Sequence, residues 1–349
     1  MSATDDAAAA VLAAMDPPAT AHTLGLTALP SAGTAVPPPP PLDLVELHAG
    51  SRIDWADMWA GTDDADDFLI EPLIARGRGH ALYAPAKAGK SLLALWLAAG
   101  AATGRTVLHH RGGEPVRTLY VDHEMTTSDV RERLADMGYG PGDDLEPLAY
   151  HCLPSLAVLD SEAGGAEVLA LALAHRAELV IIDTLGRAIG GEENSADTLH
   201  NYYRWTGSPL KANGIAALRL DHAGKDAERG QRGSSAKADD VDVVWRLTAR
   251  DRDHLDLVAT HRRVSWVPQT VHLAQTADPL GFAIVGDSWP AGTAEVAAML
   301  DRLDVATDAG RPTARQALND ADEKATNEVL GAAIRYRRAR PSADLENLR

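Results

Sequence analysis

At 349 residues the chain exceeds what one hydrophobic core usually serves, and it reads as two domains or as one domain with appendages. With 45% hydrophobic and 24% charged residues it falls among soluble globular chains, which excludes wholesale disorder and a membrane-embedded class. The formal charge of −17 is uneven: residues 1–71 hold twelve carboxylates against Arg52 alone, so bulk charge does not draw the chain to a polyanion and only local basic patches are left for that purpose.

The single cysteine, Cys152, excludes an internal disulfide and any paired-cysteine metal or redox motif. Asp5 and Asp6 stand where a secretory signal would be basic, and the longest apolar run, Leu92 to Thr103, is far short of the roughly 20 residues that span a bilayer. A cytoplasmic protein without membrane contact is expected. Of only six lysines, Lys87 and Lys90 sit within four positions of each other.

In chain order, residues 1–41 carry eight of the twenty prolines, including the run Pro37 to Pro41, and an acidic disordered tail is expected over residues 1–50. Residues 53–75 contain Trp55 and Trp59 and lead into the core. From Gly79 short apolar strands alternate with helical stretches. Strands are expected at 80–84, 106–110, 117–122, 178–183 and 215–221, and helices at Lys90 to about Ala102, Ser128 to Met137 and roughly 196–212. Such alternation predicts an α/β fold with a mostly parallel central sheet. Strand patterns then dominate at 241–248, 254–263 and 270–274, and helices return at 294–304, 311–321 and 327–340. The expected division is a tail over 1–50, a central domain over 51–290 and a small helical unit over 291–349. That unit resembles a winged-helix or helix-turn-helix unit, with Arg335, Arg337, Arg338 and Arg340 available to DNA or to another subunit.

Residues 84–91 read APAKAGKS, the phosphate-loop pattern GxxxxGK[ST] with alanine in its first position. A strand ending in such a loop points backbone amides at a phosphate, and the following helix adds its positive end. Ala84, Pro85, Ala86, Lys87, Ala88, Gly89, Lys90, Ser91 and Leu92 are therefore the expected nucleotide-binding residues. Gly89 permits close approach, Lys90 is the point charge, and the Ser91 hydroxyl serves a metal. Ala84 fits only with a negative φ, which Pro85 favours.

The apolar run LVIID closes on Asp183, which is expected beside Ser91 in the shell of a Mg²⁺ ion. Glu124 lies just beyond another apolar strand, where a carboxylate can polarise the water attacking a γ-phosphate; Asp122 is the competing candidate. His109, His110 and His123 lack the spacing of a metal site.

The order of phosphate loop, strand followed by xxEM, LVIIDTLGR, strand with DHAGKD, and RGSS resembles the RecA-type ATPases. The likeness is to the RepA and DnaB branch of hexameric replicative helicases and the related ATPases of phages and plasmids, from about Asp54 to about Leu273. It implies a RecA-like P-loop NTPase core, ATP and Mg²⁺ as cofactors, a ring-shaped homo-oligomer, expected to be a hexamer, and single-stranded DNA as partner. Glu124 becomes the catalytic base and His222 the phosphate sensor, with Asp221 where relatives often carry a first histidine. The glycine-rich segment from Gly224 to Lys237 would face a central channel and offer Lys225, Arg229, Arg232 and Ser234 to nucleic acid. Arg263, with Arg262 second, would reach a neighbouring subunit's site as an arginine finger. The implied function is a helicase or translocase in plasmid, phage or mobile-element replication. A DNA-binding regulator using ATP as an assembly switch and a recombination mediator without unwinding are the alternatives.

Overall fold

A computed structural model describes residues 52–60, 68–109, 113–193, 195–223, 240–286 and 289–339. The chain divides into the units Met1–Gly61 and Thr62–Arg349. In the first, α1 (Trp55–Ala60) is a six-residue helix, and Ile53, Trp55 and Met58 are exposed. The expected tail over 1–50 lies outside the described residues.

The second unit is built on a nine-stranded sheet. Its strands are β3 (Gly79–Ala84), β4 (Thr118–Asp122), β5 (Leu148–Cys152), β6 (Leu179–Asp183), β7 (Ala216–His222), β8 (Val243–Ala249), β9 (His254–Arg262), β10 (Thr270–Ala277) and β11 (Leu280–Ile284). The spatial order is β11-β10-β9-β8-β3-β7-β6-β4-β5. From β8 through β3, β7, β6 and β4 to β5 every pair is parallel, while β8 to β11 are joined antiparallel. A separate pair, β1 (Phe68–Ile70) and β2 (Ile74–Ala75), is antiparallel.

The parallel strands are continuous apolar runs because both of their faces are covered. In β6, Leu179 and Ile181 enter one core cluster and Val180 and Ile182 the other, following the two-residue alternation of a strand. The first cluster packs on α2 (Lys90–Ala102), a helix buried around most of its circumference. The second packs on α4 (Glu162–Ala174) and α6 (Ala196–Tyr202). A π-helical segment, Tyr203–Gly207, joins α6 to α7 (Ser208–Ala212). Between β4 and β5 lies α3 (Thr127–Asp136), closed by a capping box in which the Thr126 hydroxyl and the Asp129 carboxylate exchange bonds with each other's backbone amides.

Two expectations are corrected. Over its described residues, 106–109, the strand expected at 106–110 does not form. Instead Val107 turns into the core so tightly against Gly100 that a Cβ there would lie 2.4 Å from Val107 Cγ2, and Leu108 at φ 55° ends the extended run. Second, α4 and β5 were not foreseen, and the sheet gains β11. The helices expected at 294–304, 311–321 and 327–340 form as α8 (Thr293–Arg302), α9 (Arg311–Asp320) and α10 (Asn327–Ala339), and the described residues from 293 to 339 hold no strand.

These helices share a small apolar cluster that includes Ala297, Leu300, Leu318 and Leu330. The middle of α10, from Leu330 to Ile334, is buried, and Arg335 meets Glu71 at 2.5 Å. Arg337 bonds Asp301 at 2.6 Å and the Val305 carbonyl, while Arg338 bonds the carbonyls of Thr307 and Asp308. Three of the arginines considered for DNA thus hold neighbouring structure in place; Arg340 lies outside the described residues. No helix among the described residues is long and apolar enough to cross a membrane.

Candidate active site

Parallel strands deliver their C-terminal ends to one edge, and there the sheet opens a cleft of about 890 Å³. Its lining includes Lys87, Lys90, Ser91, Glu124, Met125 and His222. At the mouth of β3, Ala84 is the last strand residue; it is fully buried and has no positive φ, so the missing glycine is accommodated by extended backbone. The loop turns instead at Lys87, with φ 64°, and at Gly89, with φ 85°. Gly89 has open space around its Cβ position, so the requirement there is conformational. Residues with positive φ interleaved in this way turn successive N–H groups into one concavity.

The N-terminus of α2 has no side-chain cap, whereas Thr126 caps α3 and Ser161 caps α4. A thirteen-residue helix with uncapped first-turn amides at a cleft can accept a phosphate group. Lys90 opens this helix and is only 7% exposed.

Beside it, β7 lies between β3 and β6, so Asp183 reaches the loop from one strand further away. Ser91 Oγ donates to Asp183 Oδ1 at 3.1 Å and the Tyr120 hydroxyl to Oδ2 at 2.9 Å. Burial raises the Asp183 pKa to about 6 against the pull of these two hydroxyls. Among the described residues no group of three or more His, Cys, Asp or Glu side chains could hold a metal alone. A serine hydroxyl bonded to a buried carboxylate fits instead a Mg²⁺ ion that takes its remaining ligands from phosphates and water.

The two candidate bases separate cleanly. Asp122 is fully buried: Oδ1 accepts from the amides of Glu124 at 2.7 Å and Met125 at 3.0 Å, and Oδ2 accepts from the Tyr150 hydroxyl. It shapes the turn after β4 and leaves Glu124 to face the cleft. Glu124 Oε1 accepts from Thr184 Oγ1 and from Arg187 Nε, each at 3.1 Å. Burial pushes its carboxyl up, but the bonds from Arg187 and Thr184 and the nearby Lys90 ammonium prevail, and its pKa falls below the usual carboxylate range.

His222 ends β7 directly opposite Ala84, in the same cleft. Burial, then the charge of Lys90, lowers its pKa and keeps the ring neutral near pH 7. Asp221 points to the other face of β7, fully buried against Arg219 Nε at 3.2 Å, and Arg219 also bonds Asp240 at 2.5 Å. Asp221 therefore anchors the strand and does not enter the cleft.

Arg262 and Arg263 are not brought to this edge. Arg262 pairs across β8 with Val243, which itself pairs with His80 at the start of β3, about 13 Å along the strand from Ala84. Within the chain Arg262 bonds the Val267 carbonyl and Glu328, the latter at 3.3 Å. Arg263 is exposed, and its amide donates to the Asp242 carbonyl at 2.8 Å. Lys225, Arg229, Arg232 and Ser234 lie outside the described residues.

Sequence reasoning passed over Tyr120, Tyr150, Thr184 and Arg187, which hold the three carboxylates. Thr184 and Arg187 follow Asp183 in the same motif, and their spacing of three was the available signal.

Residues 24–228, more than half of the chain, match the family model of an AAA domain. The match includes the phosphate loop, Glu124, Asp183 and His222 and stops before β8. No curated protein matches the chain.

Proposed function

The chain belongs to the AAA domain family of P-loop ATPases, and from that premise we propose a Mg²⁺-dependent ATP hydrolase with a RecA-type core, working as an oligomeric motor of the RepA and DnaB kind. In this reading it is a DNA helicase or translocase serving a plasmid, phage or mobile element. The observation that carries it is the convergence of Lys90, Ser91, Asp183, Glu124 and His222 at one sheet edge, around an uncapped helix N-terminus.

Each residue then has a task. The loop amides and Lys90 hold the β- and γ-phosphates, and Ser91 with Asp183 would hold Mg²⁺, which when bound neutralises charge building on the phosphates. Glu124 accepts the proton of the attacking water, and His222, neutral and beside Lys90, reads whether the γ-phosphate is present. Arg263, just beyond the far end of β9, would serve a neighbouring subunit's loop, because it is remote from its own. Lys225, Arg229, Arg232 and Ser234 would meet single-stranded DNA. The division at residues 50 and 290 and a winged-helix-like C-terminal unit belong to the same reading. Arg337 and Arg338 bond within that unit, which favours docking over DNA reading as its role.

The experiment is the rate of ATP turnover with and without single-stranded DNA, together with native mass. Stimulated turnover by a ring supports the motor. ATP-dependent assembly with negligible turnover would instead support the DNA-binding switch, and filaments that hydrolyse without unwinding the recombination mediator.

A further inference from the structure

The short segment after β6 forms α5 (Leu185–Ala188), and its geometry converges on one atom. Leu185 and Ala188 are buried and pin the turn, while the amides of Arg187 and Ala188 return to the Thr184 carbonyl at 3.1 and 3.3 Å. Thr184 and Arg187, three apart, consequently share one side of the turn. Strand register does the rest. Asp122 pairs with Asp183, and the His123 amide donates to the Asp183 carbonyl at 2.7 Å, so Glu124 arrives opposite Thr184 and Arg187.

Both of these residues bond Oε1 of Glu124, and no described residue hydrogen-bonds Oε2. Resting on the reading of Glu124 as the base, we propose that Arg187 and Thr184 are positioning residues that lock the carboxylate through Oε1 and reserve Oε2 as the atom that accepts the proton of the attacking water.

The physical need is plain. The Glu124 side chain is 31% exposed, and an unrestrained glutamate there would spread over several rotamers. Two donors on one oxygen remove that freedom, and a base held in place gains the effective concentration that positioning supplies. Thr184 is fully buried and fixed by the backbone, so it sets the direction. Arg187 is 62% exposed, and an ion pair that open to water contributes little to folding. Removing the guanidinium should therefore damage the reaction and spare the fold, a separation that a purely structural residue would not give.

The test is steady-state Mg²⁺-ATP turnover by the full chain as wild type, Arg187→Ala, Arg187→Lys, Glu124→Gln and the double variant Arg187→Ala/Glu124→Gln, with unfolding midpoints alongside. Arg187→Ala should lower kcat by about tenfold or more while KM stays within about twofold and the midpoint is unmoved. Arg187→Lys should recover part of the loss, since an ammonium can still donate to Oε1. In the Glu124→Gln background, Arg187→Ala should have no further effect, because the group it positions is gone. A kcat for Arg187→Ala within about twofold of wild type overturns the proposal, as does a loss carried by KM. A rise in kcat overturns it too, because Arg187 would then restrain the base. If Glu124→Gln itself keeps wild-type turnover, or the wild type has none, the reading of the site fails and the proposal with it. Loss in Glu124→Gln with Arg187→Ala unaffected sinks the proposal alone.

Discussion

Acidification from neutral pH toward 4 should weaken the fold through His80, a ring only 1% exposed on β3 behind the phosphate loop. Its Nε2 accepts from the Ala75 amide at 2.9 Å, and its Nδ1 lies 3.3 Å from the Ala217 carbonyl, so the neutral ring with the proton on Nδ1 satisfies both and ties β3 to β7. A second proton would abolish the acceptor, and burial lowers the pKa from 6.5 to about 4. Because the folded value lies below the unfolded one, the contribution is complete above pH 6.5 and is lost as pH falls toward 4; at about 1.4 kcal/mol per unit it amounts to about 3 kcal/mol. Asp183 works the other way, since its pKa is raised to about 6 and acidification over the same range favours its folded form. Comparison with His80→Gln cancels that opposing effect, as the amide can accept from Ala75 but does not titrate. Urea unfolding of both proteins across this range should find the wild type ahead at neutral pH and the difference shrinking by about 3 kcal/mol in acid. A difference independent of pH would refute the assignment of His80 as a neutral, buried acceptor.

Other outcomes follow from the same structure. Lys90→Ala should abolish hydrolysis and weaken ATP binding in a titration, because the ammonium is the point charge at the phosphates; turnover within about tenfold of wild type would contradict the loop assignment. Gly165→Ala on α4 should lower the melting temperature: helix propensity gains about 1 kcal/mol, but a Cβ there would lie 1.9 Å from the Trp205 carbonyl oxygen, and the backbone shift should outweigh the gain for a net loss of about 1–3 kcal/mol. An unchanged melting temperature would mean that α4 does not meet the π-helical segment so closely. Arg263→Ala and Lys90→Ala, each inactive alone, should recover some turnover when mixed into the same oligomers, as sites pairing an intact loop with an intact arginine reappear; no rescue in verified mixed oligomers would exclude Arg263 as a residue acting in trans.

What was legible in the sequence was local. The phosphate loop, Asp183 and Glu124 each stand at the end of an apolar strand, and the parallel alternation placed those strand ends on one edge. What stayed hidden depended on contacts between distant segments. The α4 sequence EAGGAEVLALALA carries two glycines that argue against a helix, yet Gly164 and Gly165 are what let it approach the Ala157, Val158 and Trp205 carbonyls. Thr106 to His110 has strand-forming residues, but Val107 is drawn against Gly100 instead of into the sheet. Sequence favours Glu124 as the base but leaves Asp122 competing, and only the structure shows Tyr150 and two amides occupying Asp122. The basic face of α10 reads as solvated or DNA-facing because no local pattern reveals that Arg337 meets Asp301 and carbonyls some thirty residues away.

The central claim, that the cleft hydrolyses ATP with Glu124 as its base, is tested most directly by Glu124→Gln, with ATP affinity and turnover measured on the same preparation. The amide is nearly the shape of the carboxylate but cannot take the water's proton, so ATP should bind as in the wild type while turnover falls by about 10²- to 10⁴-fold. Turnover close to wild type with ATP still bound would contradict the account and place the proton acceptor elsewhere in the cleft.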